Sequence, residues 1–261
     1  MNDLSGRISW ADVGLALLLV AVAMAVSRAR RTGLEGDIAV ATFRSFAQLL
    51  AVGFVLELVL DGNSALTPVV LLVMVGTATL TSGGRGKRIP GAYWVAAAAV
   101  SVATGGTLGI LLLLDIVPAV PRAAIPLGSM VISNAMNTTS LVMSRLRDDL
   151  GAHRREVEAH LSLGETSTDA AASWHRAAVR NGMLPIVDQT KVVGLVALPG
   201  AMTGMLLAGA SPSSAIRLQL VVMYMLVGGG AFAALVAGRL TISRLFTADH
   251  QLIRSVRRTA G

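Results

Sequence analysis

Long apolar runs alternate with short charged or turn-forming ones along most of the chain. Seven runs reach or approach the ~20 residues a helix needs to cross the hydrocarbon core. They cover residues 10–27, 37–60, 65–81, 93–114, 125–143, 184–209 and 215–240. Asp61-Gly62-Asn63-Ser64 reads as a tight turn, residues 115–121 as a Pro-containing loop, and Ser211-Pro212-Ser213-Ser214 as another turn. The pattern predicts an all-α, polytopic membrane bundle of about seven transmembrane helices, with residues 1–261 forming one transmembrane domain.

One stretch breaks the pattern. Residues 144–183 are polar, and within them Glu158 to Pro185 reads as two short amphipathic helices joined at a glycine. Gly164 suits the position after a helix end because it adopts positive φ without a Cβ clash. Thr166, with Asp169 three residues on, forms a capping-box-like start for the next helix. Ala170, Trp174, Ala177 and Ala178 then share one stripe, and Leu150, Val157 and Leu161 make a matching stripe upstream. An elbow with an apolar stripe left exposed is expected to seek a partner.

Composition agrees with the membrane reading. The 261 residues are 54% hydrophobic and 14% charged, with a net charge of +7. The Lys and Arg are spread between apolar runs and form no patch with aromatics, which argues against a nucleic-acid partner and for the lipid bilayer. There is no Cys, which excludes disulfides, thiolate metal sites and thiol nucleophiles. The first run could pass for a signal peptide, with Ala23-Met24-Ala25 resembling a cleavage site. Its charges are reversed, however: Asp3, Arg7 and Asp12 precede it and Arg28, Arg30 and Arg31 follow. A retained helix with its N-terminus outside is expected. That orientation also places Arg85, Lys87, Arg88, the elbow arginines and a basic tail over 239–261 on the cytoplasmic side.

Polar side chains at membrane depth are the chemical candidates, because an uncompensated charge there costs ~3 kcal/mol or more. Arg44 and Gln48 share a face of the second run, and Asp188 and Lys191 lie three apart in the sixth. Asp188 is a candidate partner for the deeper Arg44, and Lys191 is the nearer alternative. In the fifth run Asn134, Met136, Asn137 and Thr138 cluster, and their oxygen and thioether groups suit a path for a partly hydrated cation. Hydrogen bonding between helices explains the same residues, and no metal ligand can be named. Small-xxx-small spacing at Gly105 and Gly109, and at Gly200, Gly204 and Ala208, predicts close helix packing within the bundle or at a dimer face. Pro199 is expected to kink the sixth helix, as a structural bend or a gate.

No catalytic constellation stands out. Gly83-Gly84-Arg85-Gly86-Lys87 lacks the first glycine of a phosphate loop, since Thr81 stands there, and Arg88 follows the lysine. No Ser/His/Asp set or H-E-x-x-H pair occurs in the spans, so the chain is not expected to be an enzyme or to hold a cofactor.

Glu158-Ala159, Gly164 and the downstream Leu184-Pro185 resemble the cytoplasmic EAA loop of ABC-transporter permeases. His160 replaces the second Ala, and Gly164 lies farther from Pro185 than in typical importers. Leu161-Ser162-Leu163-Gly164, Pro185 with Asp188 and Lys191, the run from Val193 to Gly204, Arg44 with Gln48, and Asn134-Ala135-Met136 extend the likeness. Together they resemble the FetB-type permease family, bacterial iron exporters with plant relatives linked to aluminium tolerance. The resemblance implies a multi-pass inner-membrane permease that homodimerises. It also implies a separate cytoplasmic ABC ATPase subunit carrying ATP and Mg. In that setting Glu158, Leu161, Leu163, Gly164, Thr166 and Trp174 would form the coupling surface. A nucleotide sugar is the alternative cargo. An ion-coupled secondary carrier and a non-transport membrane adaptor are the rival readings.

Overall fold

The computed structural model describes residues 9–61 and 66–253. Every regular element among them is a helix. In chain order these are α1 (Trp10–Arg30), α2 (Glu35–Asp61), α3 (Thr67–Arg85), α4 (Ala92–Leu113) and α5 (Pro121–Ala152). There follow α6 (Arg154–Ser162), α7 (Ser167–Ala170), α8 (Ala172–Val192), α9 (Gly200–Leu207) and α10 (Pro212–Leu245). Most of the expected turn at 61–64, the leading charges Asp3 and Arg7, and the end of the basic tail lie outside the described residues.

Local chemistry sets the helix ends. Ser9 and Asp12 close a reciprocal capping box at the start of α1. Arg31 and Gly33, both at positive φ, turn the chain into α2. The Ser27 hydroxyl ties that turn by accepting from the Leu34 N–H and bonding Glu35 and Thr32. α1 and α2 form a hairpin that packs on itself, with Trp10 and Phe46 edge to face at 6.4 Å, and touches the remainder only lightly through α5.

The core is α3, α4, α5 and α10, with α8 laid across α5 and α10. Small residues on α10 bring its neighbours close. A Cβ at Gly229 would sit 3.1 Å from Val131 and 3.2 Å from Thr107, and one at Gly230 would sit 3.2 Å from Asn134. Three apolar clusters stack along the bundle. Val117, Leu127 and Val222 lie at one end, Val100, Ile132 and Ala233 in the middle, and Met143, Leu146 and Leu245 at the elbow end.

Five helices, α1, α2, α3, α4 and α10, are long and apolar enough to span a membrane among the described residues. The other two expected runs differ in kind. The fifth is one helix from Pro121 to Ala152, longer than expected and polar along one face. The sixth is not continuous. α8 begins inside the expected elbow, passes through Pro185 and stops at Val192, and Pro199 caps α9 in place of kinking a helix. Gly194 at φ +83 turns the chain, and its N–H bonds the Ala197 carbonyl. Leu198 is pushed out of helical geometry by the proline ring that follows it.

The expected small-residue contacts also move. A Cβ at Gly105, Gly109, Gly200 or Gly204 would meet nothing within 4 Å, so these glycines do not pack the bundle. The close approaches fall instead at Gly83, Gly128, Gly182 and Gly238. Spacing alone identifies a face that permits contact, and tertiary placement decides which face receives it. Nor is the tail free: α10 runs on to Leu245, and Phe246 and Leu252 are buried in the core as a strap.

Gly83→Ala places a methyl against the Tyr93 ring and within 2.9 Å of the Tyr93 Cα. It is expected to cost about 1–3 kcal/mol in thermal unfolding of the purified protein. Gly105→Ala, in the same assay, is expected to stay within about 0.5 kcal/mol of wild type.

Candidate functional site

α5 carries the polar face that the bundle leaves open. Ser129, Ser133 and Asn137 recur every four residues, and Met130 and Asn134 do the same beside them. With Ile186 and Gln189 of α8 and Leu226 of α10 they line an open groove of about 380 Å³. Asn134 donates from Nδ2 to the Leu226 carbonyl at 2.8 Å, which locks its amide between α5 and α10. Asn137 accepts at Oδ1 from Arg85 Nη1 at 3.2 Å, which brings a guanidinium to the end of the groove. Arg85, expected in a loop, is the last residue of α3.

The expected path residues therefore separate. Asn134 and Asn137 line the groove. Met136 packs on the cluster around Val100 and Ala135, and Thr138 is buried beside Gly182 and Gly230. Arg44 and Gln48 are exposed on α2. Asp188 is not the partner of Arg44: it pairs with Lys191 at 2.9 Å, both exposed. An i,i+3 pair on one helix wins because no fold has to bring its members together. Ser129, Ser133 and Gln189 were not singled out from the sequence, although the four-residue recurrence of Ser129, Ser133 and Asn137 was the available signal. Among the described residues no three His, Asp or Glu come together as a metal cluster. The groove offers hydroxyl and amide oxygens, which suit a hydrated or hard cation better than a soft one.

The elbow forms at the end of α5. Gly164 has φ +91, and Thr166 caps α7 by accepting from the Asp169 N–H and donating to its carboxylate at 2.6 Å. Apart from Ala177, which is exposed, the two stripes do not stay open. Leu150, Val157, Ala170 and Ala178 are fully or nearly fully buried, and Trp174 packs on their cluster and beside the His153 ring. Both stripes are buried in one cluster that Leu245 of α10 and Phe246 and Leu252 of the strap complete, because pooling these faces buries more apolar area than leaving them apart. The exposed apolar group is Leu163, 83% accessible at the tip next to Gly164. Glu158 is held by Arg154 at 2.7 Å, and Leu161 is half-buried. An open cleft of about 790 Å³ lies beside the α5–α6 joint, between His153, Arg155 and Glu158. The strap of residues 246–253 reaches α7, where His250 Nδ1 accepts from the Ser167 N–H at 3.1 Å.

A multi-pass helical membrane protein with a polar groove and a folded polar elbow is the class these features define. The family described as "Uncharacterised protein family (UPF0014)" matches residues 10–246, and the chain belongs to it. UPF0014 membrane protein STAR2 of Oryza sativa subsp. japonica is 40% identical over 91% of this chain and 84% of its own length. Protein ALUMINUM SENSITIVE 3 of Arabidopsis thaliana is 38% identical, over 91% of this chain and 87% of its own. Probable iron export permease protein FetB of Escherichia coli (strain K12) is 33% identical over 95% of this chain and 96% of its own. No solved structure matches the chain.

His175 sits under the elbow against Gly238 and Val179. Burial first, then the charges of Arg176 and Arg239, lower its pKa from the ordinary 6.5. Above 6.5 the ring is neutral whether folded or unfolded, and this group does not oppose folding. As pH falls below 6.5 the unfolded chain takes up a proton that the folded one resists, so stability declines. Thermal unfolding between pH 7.5 and about 5.5 is expected to show that decline, and His175→Gln to flatten it.

Proposed function

We propose that this chain is the membrane-spanning subunit of an ABC transporter that exports iron or another metal cation from the cytoplasm. The observation that carries the reading is the polar groove on α5, set in a chain related across nearly its whole length to a probable iron export permease. Side chains that would be costly against lipid are retained there on one face. That arrangement is expected where water or cargo passes.

In this reading the chain is not itself an enzyme and holds no cofactor. ATP and Mg belong to a separate cytoplasmic ATPase, and the orientation is N-terminus outside and C-terminus cytoplasmic in the bacterial inner membrane. Two copies form the transporter. Gly105 and Gly109, which meet nothing within the chain, and the highly exposed Leu195 and Val196 between α8 and α9 support such a partner. Non-helical backbone at membrane depth needs protein or water over it. The ATPase would contact the elbow at Leu163 and Gly164 and along the cleft by Glu158, and Trp174 and Thr166 would hold that surface in shape.

Inside-out vesicles containing this chain and its ATPase should load iron with ATP and not with a non-hydrolysable analogue. Ser133→Leu with Asn137→Leu should slow loading about tenfold, equivalent to ~1.4 kcal/mol on the barrier. ATP hydrolysis without iron movement would overturn the cargo and leave a nucleotide sugar to be tested in the same vesicles. Gly164→Pro should leave the bundle folded and abolish ATP-driven loading. Loading that needs no ATPase would overturn the ABC reading in favour of an ion-coupled carrier.

A further inference from the structure

The outward face of α10 carries one continuous stripe that the groove does not use. Tyr224, Gly228, Phe232, Leu235, Arg239 and Ser243 recur at three- or four-residue steps and so lie along one line of the helix. Its apolar part is exposed: Tyr224 is 67%, Phe232 38% and Leu235 55% accessible. Beyond Leu235 the stripe enters a cavity of about 440 Å³ under the elbow, lined by Arg239, Ser243, Ile242, Ser167, Thr168 and His175. At its other end it borders an almost wholly apolar cleft of about 250 Å³ between α4 and α10, where Thr107 and Ile110 face Gly228 and Phe232.

Charge and length agree on what fits. No carboxylate lines the elbow cavity, and Arg239 has no ion pair among the described residues. Ser167 is engaged with His250 and Ser243 with the Leu240 carbonyl, while Thr168, which also lines the cavity, makes no side-chain hydrogen bond among the described residues. A guanidinium fork beside a hydroxyl matches phosphate oxygens. From Arg239 to Gly228 the helix rises about 16 Å at 1.5 Å per residue. One leaflet of a hydrocarbon core is about 15 Å deep. An acyl chain starting at the Arg239 level therefore lies over Leu235 and Phe232 and ends at the apolar cleft.

We infer that this face of α10 is a binding site for one anionic phospholipid of the leaflet that meets the elbow, its phosphate on Arg239 and Thr168 and an acyl chain along Leu235 and Phe232. The site is independent of the cargo and of any ATPase. A second copy meeting this face through the same stripe would bring another Arg239 and no carboxylate. Neither the apolar length nor the exposure of Leu235 is needed by a soluble anion.

The test is native mass spectrometry of the intact detergent-solubilised protein, titrated with phosphatidylglycerol, with phosphatidylcholine and with inorganic phosphate. Phosphatidylglycerol should bind about tenfold more tightly than phosphatidylcholine. Arg239→Gln should erase that preference, Arg239→Lys should keep part of it, and Leu235→Gln should weaken both lipids. Equal retention of the two lipids by wild type would overturn the proposal. So would a preference that survives Arg239→Gln in protein of unchanged melting temperature. Inorganic phosphate binding that is lost in Arg239→Gln but indifferent to Leu235→Gln would assign the cavity to a soluble anion instead. Dissociation of a dimer by Leu235→Gln, with lipid retention unchanged, would assign the face to a second copy. Should Arg239→Gln fail to fold, the Arg239→Lys and Leu235→Gln titrations decide between the same outcomes.

Discussion

In hydrocarbon, apolar side chains gain nothing by leaving solvent for one another, so helices associate only where their surfaces touch closely. α10 supplies that closeness. Gly229 admits Val131 and Thr107, Gly230 admits Asn134 and Ile186, and Gly238 admits His175. α4, α5 and α8 therefore meet on one helix from different sides. Their positions fix everything of functional interest: the groove lies where α5 and α8 leave a gap beside α10, and the elbow is the continuation of α5 folded back toward α8. A bulky residue in the seam would move all three neighbours at once.

The two ends of α5 differ in what they need. Along the groove its polar face is tied by single hydrogen bonds, Asn134 to Leu226 and Asn137 to Arg85, with Ser133 left open. Past the bundle one face of the same helix is packed tightly, with Leu146 and Leu150 fully buried in one cluster with Val157 and Ala178, while Arg145 and Asp148 stay exposed on the other. A packed cap thus sits on a helix whose other portion carries an open polar face. Movement imposed on the cap would reach the groove through one uninterrupted rod of backbone.

The class of fold was legible because hydropathy in a bilayer is nearly a one-body property: each apolar run announces itself without reference to its neighbours. α1, α3 and α4 fall within a few residues of expectation for that reason. The elbow's Gly164 turn and Thr166 cap were legible too, since both are local chemistry. What depended on contact was not. Gly105 and Gly83 look alike in sequence, and only the arrangement of α3 against α4 shows which one is crowded. The burial of the Trp174 stripe is likewise settled by its neighbours, whereas the Asp188–Lys191 pair, local to one helix, was already one of the two pairings the sequence offered. Part of the groove was hidden for a simpler reason, because Ser129 and Ser133 gain meaning only as a row.

The strap of residues 246–253 carries a consequence for biosynthesis. Leu252 and Phe246 complete the same cluster that contains Val157 and Ala170, and His250 reaches across to Ser167. A chain made from N- to C-terminus presents the elbow long before the ribosome has produced its last covering residues. Throughout that interval the elbow is an unfinished surface with valine and alanine uncovered. Maturation of this surface is therefore timed by the strap that follows the final helix, and a chain cut short after α10 would display an elbow without that cover.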